Sequence, residues 1–369
     1  MSERIRMLLT ISSLTGGGAE REFSTLIKHL SRERFESHLC FHRPEFAYEF
    51  PDDLPIHVIH RTRPWHTPRA IWQLRRVIRD VKPDVIFSQL HYVNMLTGSA
   101  LARLEERPAW ICRQVNDPVR EMQGPFAIWA RRSLARADCV LGCSDGVSQA
   151  MVDHLRLDPG RVRTMVNAVD VERIERLAGE QLPITRPPGA FIAVHAGRFS
   201  PQKNQMLLLE AFSRFRNRPA ELWMLGEGDL ADDLKERARQ LGIRSRVRWL
   251  GFQPNPYAFF RSADAFVLSS DHEGLPNVLI EAMICGTPAV STRCPYGPEE
   301  LIEDGVNGRL TPVGSALALA DALEMLANNP DAAREMGAVA RDRAVARFDT
   351  RVVCAAYEEL FGEMASVAK

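Results

Sequence analysis

Short apolar runs alternate along this chain with longer stretches in which apolar residues recur every three or four positions. The runs "IRMLLTIS" (5–12), "DVIFSQL" (84–90), "AWICRQV" (109–115) and "DCVLGCS" (138–144) have the length and the branched or aromatic content of buried strands, and helix-period segments lie between them. A second series, "FIAVHAG", "ELWMLGEG", "VRWLGF", "DAFVLSS" and "PAVST", begins at residue 191. Strands separated by helices imply parallel sheets, so the two series predict two doubly wound, Rossmann-like α/β domains facing a central cleft. The proline-rich "LPITRPPGA" (182–190) reads as the connection, which places an N-terminal domain at 1–181 and a C-terminal one at 182–348. A length of 369 residues, more than one hydrophobic core usually serves, agrees with two domains.

Ligands in such sheets bind at the carboxyl ends of the strands, so the loops after the strands are where chemistry is sought. In "GRFSPQKNQMLLLEAF", Arg198 follows the first strand of the second domain and Lys203 lies near the start of the next helix. Two cations and a helix N-terminus would suit a diphosphate; a solvated loop pair is the plainer alternative. In "HEGLPNVLIEAMICGTP", Gly274 permits a tight turn and Pro276 suits a first helical turn. The helix therefore starts near Pro276 and ends at Gly286, with Glu273 in the loop above it and Glu281 about a turn and a half inside. A carboxylate at Glu281, among apolar neighbours, is costly to bury without partners, and a ribose diol would supply them. Glu273, nearer the mouth, would accept from hydroxyls beyond the phosphates.

These segments resemble the donor-binding half of the retaining glycosyltransferases of family 4, whose fold is of the GT-B type. The two glutamates keep the family's spacing, as do Arg198 and Lys203, and "GGGAER" after the first strand matches its N-terminal glycine loop. "VNAVD" (166–170) resembles its domain-crossing segment, and the terminal helix "RVVCAAYEELFGEM", within 349–366, is expected to pack back on the first domain. The resemblance implies a nucleotide-sugar donor, with Arg198 and Lys203 on its diphosphate, Glu281 on its ribose and Glu273 on its sugar. It also draws in the backbone around them: Gly197, Gly226, Gly228, Phe252, the Gly274, Leu275, Pro276 and Asn277 run, and Gly17 and Gly18 of the N-terminal loop. It implies a front-face transfer with retention, assisted by the departing phosphate. Transfer of a hexosyl or N-acetylhexosaminyl group from a UDP-sugar to a glycan or polyprenyl-linked acceptor is the expected reaction.

No two aspartates stand two apart, so the metal-holding Asp-any-Asp element is missing; fixed cations are expected to stabilise the leaving diphosphate, with no metal or other cofactor. On the acceptor side, "FSQLHYVN" and "ICRQVNDP" end strands of the first domain and offer His91, Asn94, Asn116 and Asp117. The second stretch resembles a Ser-Glu-Arg-Asn-Asp-Pro element of members that build surface polysaccharides and glycan precursors, with Gln114 and Val115 in place of Glu and Arg. His91 is either a satisfied structural histidine or a contact to the acceptor hydroxyl, and in the second case joins Arg198, Lys203 and Glu273 as a catalytic residue.

A net charge of zero argues against bulk nucleic-acid binding, but residues 1–170 carry 24 Lys+Arg against 20 Asp+Glu. The excess is concentrated between residues 60 and 82, with seven basic residues against one acidic. There "TPRAIWQLRRVIRD" (67–80) predicts a helix with Thr67 as N-cap, Pro68 at the first position and an apolar face of Ala70, Ile71, Leu74, Val77 and Ile78 turned to the sheet. The other face collects Arg69, Trp72, Arg75, Arg76 and Arg79. It reads either as an indole stacked on guanidinium planes or as a face docked on an anionic membrane. Seven cysteines without paired zinc spacing read as reduced thiols, and there is no signal peptide or membrane-spanning run. A cytoplasmic protein, peripheral on the inner face of the membrane, is expected. A UDP-sugar epimerase and a non-catalytic nucleotide-sugar-binding module are the rivals; a dinucleotide dehydrogenase lacks its full glycine fingerprint.

Overall fold

The computed structural model describes residues 4–14, 17–43, 45, 50–59, 66–123, 127–216 and 219–367; Gly16 of the glycine loop and residues 60–65 of the basic stretch lie outside them. The chain forms two compact units, residues 1–169 with 350–369, and residues 170–349.

Unit 1 holds a parallel sheet of β1 (Ile5–Ile11), β2 (Phe35–Phe41), β3 (Ile56–Val58), β4 (Val85–Gln89), β5 (Ala109–Gln114), β6 (Cys139–Gly142) and β7 (Val162–Thr164). Their order is β3-β2-β1-β4-β5-β6-β7, so the strand order reverses between β1 and β4. Unit 2 repeats the design with β8 (Phe191–Ala196), β9 (Ala220–Leu225), β10 (Val247–Gly251), β11 (Ala265–Leu268), β12 (Ala289–Thr292) and β13 (Arg309–Thr311). Here the order is β10-β9-β8-β11-β12-β13, and the reversal lies between β8 and β11. Central strands such as β4, β5, β8 and β11 are buried at every position, which is why they read as continuous apolar runs.

The boundary between units differs from the sequence reading. It falls between Val169 and Asp170, twelve residues before the proline-rich stretch. Asp170 caps the helix Val171–Ala178 by accepting from the Arg173 N–H at 2.9 Å. The buried face of that helix, Val171, Ile174 and Ala178, packs on the helices Tyr257–Ser262 and Asn277–Ile284, which draws 170–181 into unit 2. The chain returns to unit 1 at Thr350, whose N–H donates to the Val169 carbonyl at 3.1 Å, so the two crossings run side by side. The final helix, Thr350–Val367, places Val353, Tyr357, Leu360 and Phe361 in one core with Met7, Phe23 and Phe87.

The helix Thr67–Val81 forms as its periodicity predicts, but its cap is His66; Thr67 lies inside, with its hydroxyl 3.3 Å from that of Tyr92. Ala70, Leu74, Ile78 and Val81 are buried, Ile71 and Val77 only half so. The main packing partner of this helix is the helix His91–Leu101 and not the sheet, because that neighbour occupies the layer next to β4 and β5.

Candidate active site

The loops after β8 and β11, at the strand-order reversal of unit 2, are laced together. Gln202 donates through its amide to the His272 carbonyl at 3.0 Å and accepts from the Asp271 N–H at 2.9 Å. Asn204 donates to Asp271 Oδ1 at 2.8 Å, and Ser269 Oγ to the Lys203 carbonyl at 2.8 Å. At the centre, Lys203 Nζ lies 2.6 Å from Glu273 Oε1, which also accepts from Ser270 Oγ at 2.5 Å. Lys203, assigned to phosphate, and Glu273, assigned to sugar, are therefore one ion pair at the crevice where open α/β sheets take ligands. The carboxylate is 5% exposed, and its nearness to a lysine and a hydroxyl is what makes such burial tolerable.

Arg198 is exposed, and its guanidinium makes no hydrogen bond or ion pair with a described residue. Its backbone is fixed by a relay that the sequence did not reveal. His195, fully buried on β8, has Nδ1 2.9 Å from the Val267 carbonyl, and its Nε2 is 3.2 Å from the Gln205 amide, which also donates to the Arg198 carbonyl at 2.9 Å. Burial pushes the imidazole pKa down to about 4, so His195 is neutral, with Nδ1 donating and Nε2 accepting. The helix Gln205–Arg214 begins one residue after Asn204, whose left-handed backbone (φ 44°) lets its side chain accept from the Leu207 N–H. One of the N–H groups expected to be open to an anion is thus capped.

The Gly-Glu-Gly after β9 has a packing reason. A Cβ on Gly226 (φ 127°) would sit 2.1 Å from the Gly197 carbonyl oxygen, and one on Gly228 would sit 2.3 Å from that of Phe199. Phe252 is 66% exposed just beyond β10. The helix Asn277–Ile284 starts after Pro276 and is closed by Gly286 (φ 77°), as the sequence predicts. Glu281 is buried on it, and the Gly274 carbonyl accepts from the Gly297 N–H at 2.8 Å, with Leu275 buried beside it.

In unit 1, Gly17 caps the helix Gly18–His29 at the carboxyl end of β1. His91 opens the helix His91–Leu101 half-buried, behind Leu90 in a positive-φ conformation (φ 81°), and burial lowers its pKa. Two acceptor-side expectations are corrected. Asn94 is 1% exposed, accepting from Ser88 Oγ at 2.7 Å and donating to the Arg113 carbonyl at 2.9 Å, so its amide joins β4 to β5. Asp117 caps the short helix Pro118–Glu121, accepting from the Val119 and Arg120 N–H groups. Asn116 does stay exposed and donates to Glu121 Oε1 at 2.8 Å, while Gln114 donates to the other oxygen. Glu121, missed in the sequence because no motif contains it, has its pKa raised by burial. Among the arginines of the helix Thr67–Val81, Arg75 is likewise structural: it donates to the Ala100 and Ser99 carbonyls at 3.0 and 3.1 Å. Arg69, Arg76 and Arg79 remain exposed beside Trp72, itself 53% exposed. No cluster of three His, Cys, Asp or Glu side chains fit for a metal occurs among the described residues.

Residues 182–343 match the family model of glycosyl transferases group 1, and residues 16–173 that of glycosyltransferase family 4. The chain is 31% identical over 301 residues to the lipopolysaccharide core biosynthesis glycosyltransferase LpsE of Rhizobium meliloti, covering 76% of this chain and 86% of that one. It is 28% identical over 367 residues to the N-acetylgalactosamine-N,N'-diacetylbacillosaminyl-diphospho-undecaprenol 4-alpha-N-acetylgalactosaminyltransferase of Campylobacter jejuni, covering 95% and 98%. A crystal structure of Anabaena HepE, in complex with UDP and glucose, shares the GT-B fold with a TM-score of 0.81, 19% identity and coverage of 98% and 100%.

Proposed function

The chain belongs to the glycosyltransferases of group 1 and family 4, and from that premise we propose that it moves a hexosyl or N-acetylhexosaminyl group from a UDP-sugar, with retention and without a metal, to a glycan or lipid-linked acceptor. The observation that carries the donor assignment is the Lys203–Glu273 pair at the strand-order reversal of unit 2. With donor bound, the ammonium keeps one N–H on Glu273 and turns others to the diphosphate, Arg198 adds a second cation, Glu281 accepts from the ribose diol and Glu273 Oε2 accepts from the sugar. The bond between the anomeric carbon and the phosphate oxygen breaks as the acceptor oxygen attacks from the same face, and the acceptor's proton passes to the departing phosphate. His91 contacts the acceptor hydroxyl. A role in polysaccharide or glycoconjugate synthesis, and a diphospho-polyprenol carrier, rest on the names of the Rhizobium and Campylobacter relatives.

Donor binding is tested by thermal shift. UDP and UDP-sugars at a hundredfold over their dissociation constants are expected to stabilise by about 2.7 kcal/mol. A 2′-deoxy donor is expected to give little shift, and Glu281→Ala to abolish the difference between the two. Equal affinity for ribo and deoxyribo donors in the unmutated protein removes Glu281 from the ribose. Turnover with no acceptor present would mark an epimerase instead.

No helix among the described residues is long and apolar enough to cross a membrane. A lipid-linked acceptor would be reached by peripheral docking, and exposed Trp72 with Arg69, Arg76 and Arg79 supports such a face, with Arg75 withdrawn from it. Each basic residue near an anionic leaflet is worth about 1 kcal/mol, so the Arg69/Arg76/Arg79→Ser triple variant is expected to bind anionic vesicles roughly a hundredfold more weakly. Neutral vesicles should bind little, salt should weaken the binding, and Trp72 emission should shift to the blue. Absence of flotation with anionic vesicles at low salt ends both the docking face and the preference for a lipid-linked acceptor.

A further inference from the structure

At the edge of the unit 1 sheet, two histidines and a glutamate form a chain of contacts that the proposed transfer does not use. The register sets Cys40 of β2 opposite His57 of β3, so His38 and Glu36, two and four residues before Cys40, share one face of the sheet with His57. His38 Nδ1 lies 3.3 Å from His57 Nε2. The ring centroids are 5.5 Å apart, so the imidazoles meet through these nitrogens and not face to face. On its other side, His38 Nε2 is 3.4 Å from Glu36 Oε1, and Arg4 and Arg6 pair with the same carboxylate at 3.8 and 3.5 Å. A carboxylate only accepts, so Nε2 of His38 carries the ring proton and Nδ1 presents a lone pair to His57. The His38 side chain is 16% exposed and that of Glu36 38%, and His57 is partly open too, so an ion in water can reach the pair.

We propose that His38 Nδ1 and His57 Nε2 bind a divalent transition-metal ion, Zn2+ or Ni2+, between them, with Glu36 as the outer partner that orients His38. Two Zn–N bonds of about 2.0 to 2.1 Å at the tetrahedral angle set their nitrogens about 3.3 to 3.4 Å apart, which is the spacing of this pair. Without the ion, His57 Nε2–H donates to His38 Nδ1. When the ion enters, that proton leaves Nε2 for water while Nδ1 of His57 takes one up, so both rings remain neutral ligands and no net proton is released. A carboxylate on the far nitrogen of a ligating histidine fixes its tautomer and raises its basicity. The protein supplies two ligands and water the others, so the ion exchanges with solvent; this agrees with the lack of a three-ligand cluster among the described residues. Bound there, it clamps the three-residue edge strand β3 to β2. The site lies wholly in unit 1, and transfer neither uses this ion nor is needed for it to bind.

The test is calorimetric titration of the full chain, stripped of metal by a chelator that is then removed, with Zn2+ and separately with Ni2+. One saturable equivalent is expected that is lost in His38→Gln and in His57→Gln, and that weakens about tenfold or more in Glu36→Gln. Other histidines and the cysteines can take up zinc as well, so the comparison with the variants decides; His29→Gln, at an exposed helix end, is expected to change nothing. The three side chains are partly exposed, so glutamine in their place opens no core, and an unchanged melting temperature without metal checks this. Zn2+ is also expected to raise the first melting transition of the unmutated chain but of neither histidine variant. Mg2+ and Ca2+, which take oxygen ligands, should not compete. No saturable binding, or a histidine variant that binds and is stabilised as the unmutated chain is, overturns the site. Unchanged affinity in Glu36→Gln overturns the orienting role of Glu36, and competition by Mg2+ or Ca2+ overturns the pair of imidazole ligands.

Discussion

Lys203→Ala is expected to lower kcat/KM for transfer by about 2 to 4 kcal/mol of transition-state stabilisation, roughly thirtyfold to a thousandfold, while a chelator leaves the unmutated enzyme active. The physical reason is that cleavage of the donor concentrates charge on the departing diphosphate, and a fixed ammonium in a crevice partly closed to water meets that charge without reorganising. The same substitution leaves Glu273, 5% exposed, with hydroxyl and amide partners but no cation, so some loss of stability accompanies the loss of rate. Arg198→Ala separates the two effects. Its guanidinium has no partner among the described residues, so the rate should fall with no change in melting temperature. Steady-state kinetics and thermal melts on both variants decide the matter. Transfer retained in Lys203→Ala, or abolished by chelator and restored by added metal, would sink the fixed-cation mechanism.

Much of this site was legible because its residues sit where periodicity changes. The apolar run of β8 stops at Gly197 and a helical pattern begins at Gln205, so Arg198 and Lys203 could only belong to the connecting loop. The Gly274 and Pro276 signals likewise set the start of the helix that carries Glu281. What stayed hidden depends on contacts distant in sequence. That Lys203 would pair with Glu273, seventy residues away, follows from β8 and β11 being neighbours, and no local pattern states which strands pair. Asn94 and Asp117 carry side chains as suited to an acceptor as to a cap, and only burial and partners showed them to be structural. The short edge strands β3, β7 and β13 went unread because three residues give no period, and β2 because Glu36 and His38 interrupt its apolar positions. The misplaced boundary has the same origin: prolines at 183, 187 and 188 signal irregular chain, but the packing of Val171, Ile174 and Ala178 decides which core owns the segment.

Glu22→Ala is expected to be the most damaging single change to stability in unit 1, because Glu22 balances a charge from which water is excluded. Arg113, on β5, is fully buried, and its Nη1 lies 2.5 Å from Glu22 Oε2, one turn into the helix Gly18–His29. Its Nη2 donates to Asn167 Oδ1 at 2.6 Å and to the Met165 carbonyl at 3.0 Å, and the guanidinium stands 5.7 Å from the Tyr357 ring centroid. One guanidinium thus joins a helix, a strand, the segment leading out to unit 2 and the helix that returns. Burial alone would lower the Arg113 pKa and is the largest single influence, but the Glu22 charge and hydrogen bond together with Tyr357 and Cys143 outweigh it, and the net shift is upward. Removing one partner of such a pair costs about 3 to 5 kcal/mol, a large part of the 5 to 15 kcal/mol that holds a domain folded. A fall of roughly 6 to 20 °C in the first melting transition is expected, at about 2 to 4 °C per kcal/mol for a unit of this size. The double variant Glu22→Leu/Arg113→Met should recover most of that loss, because it removes the stranded charge and keeps the volume. Thermal and urea melts on the single and double variants measure the coupling, and a Glu22→Ala loss below about 1 kcal/mol would show that water reaches Arg113 in the folded chain.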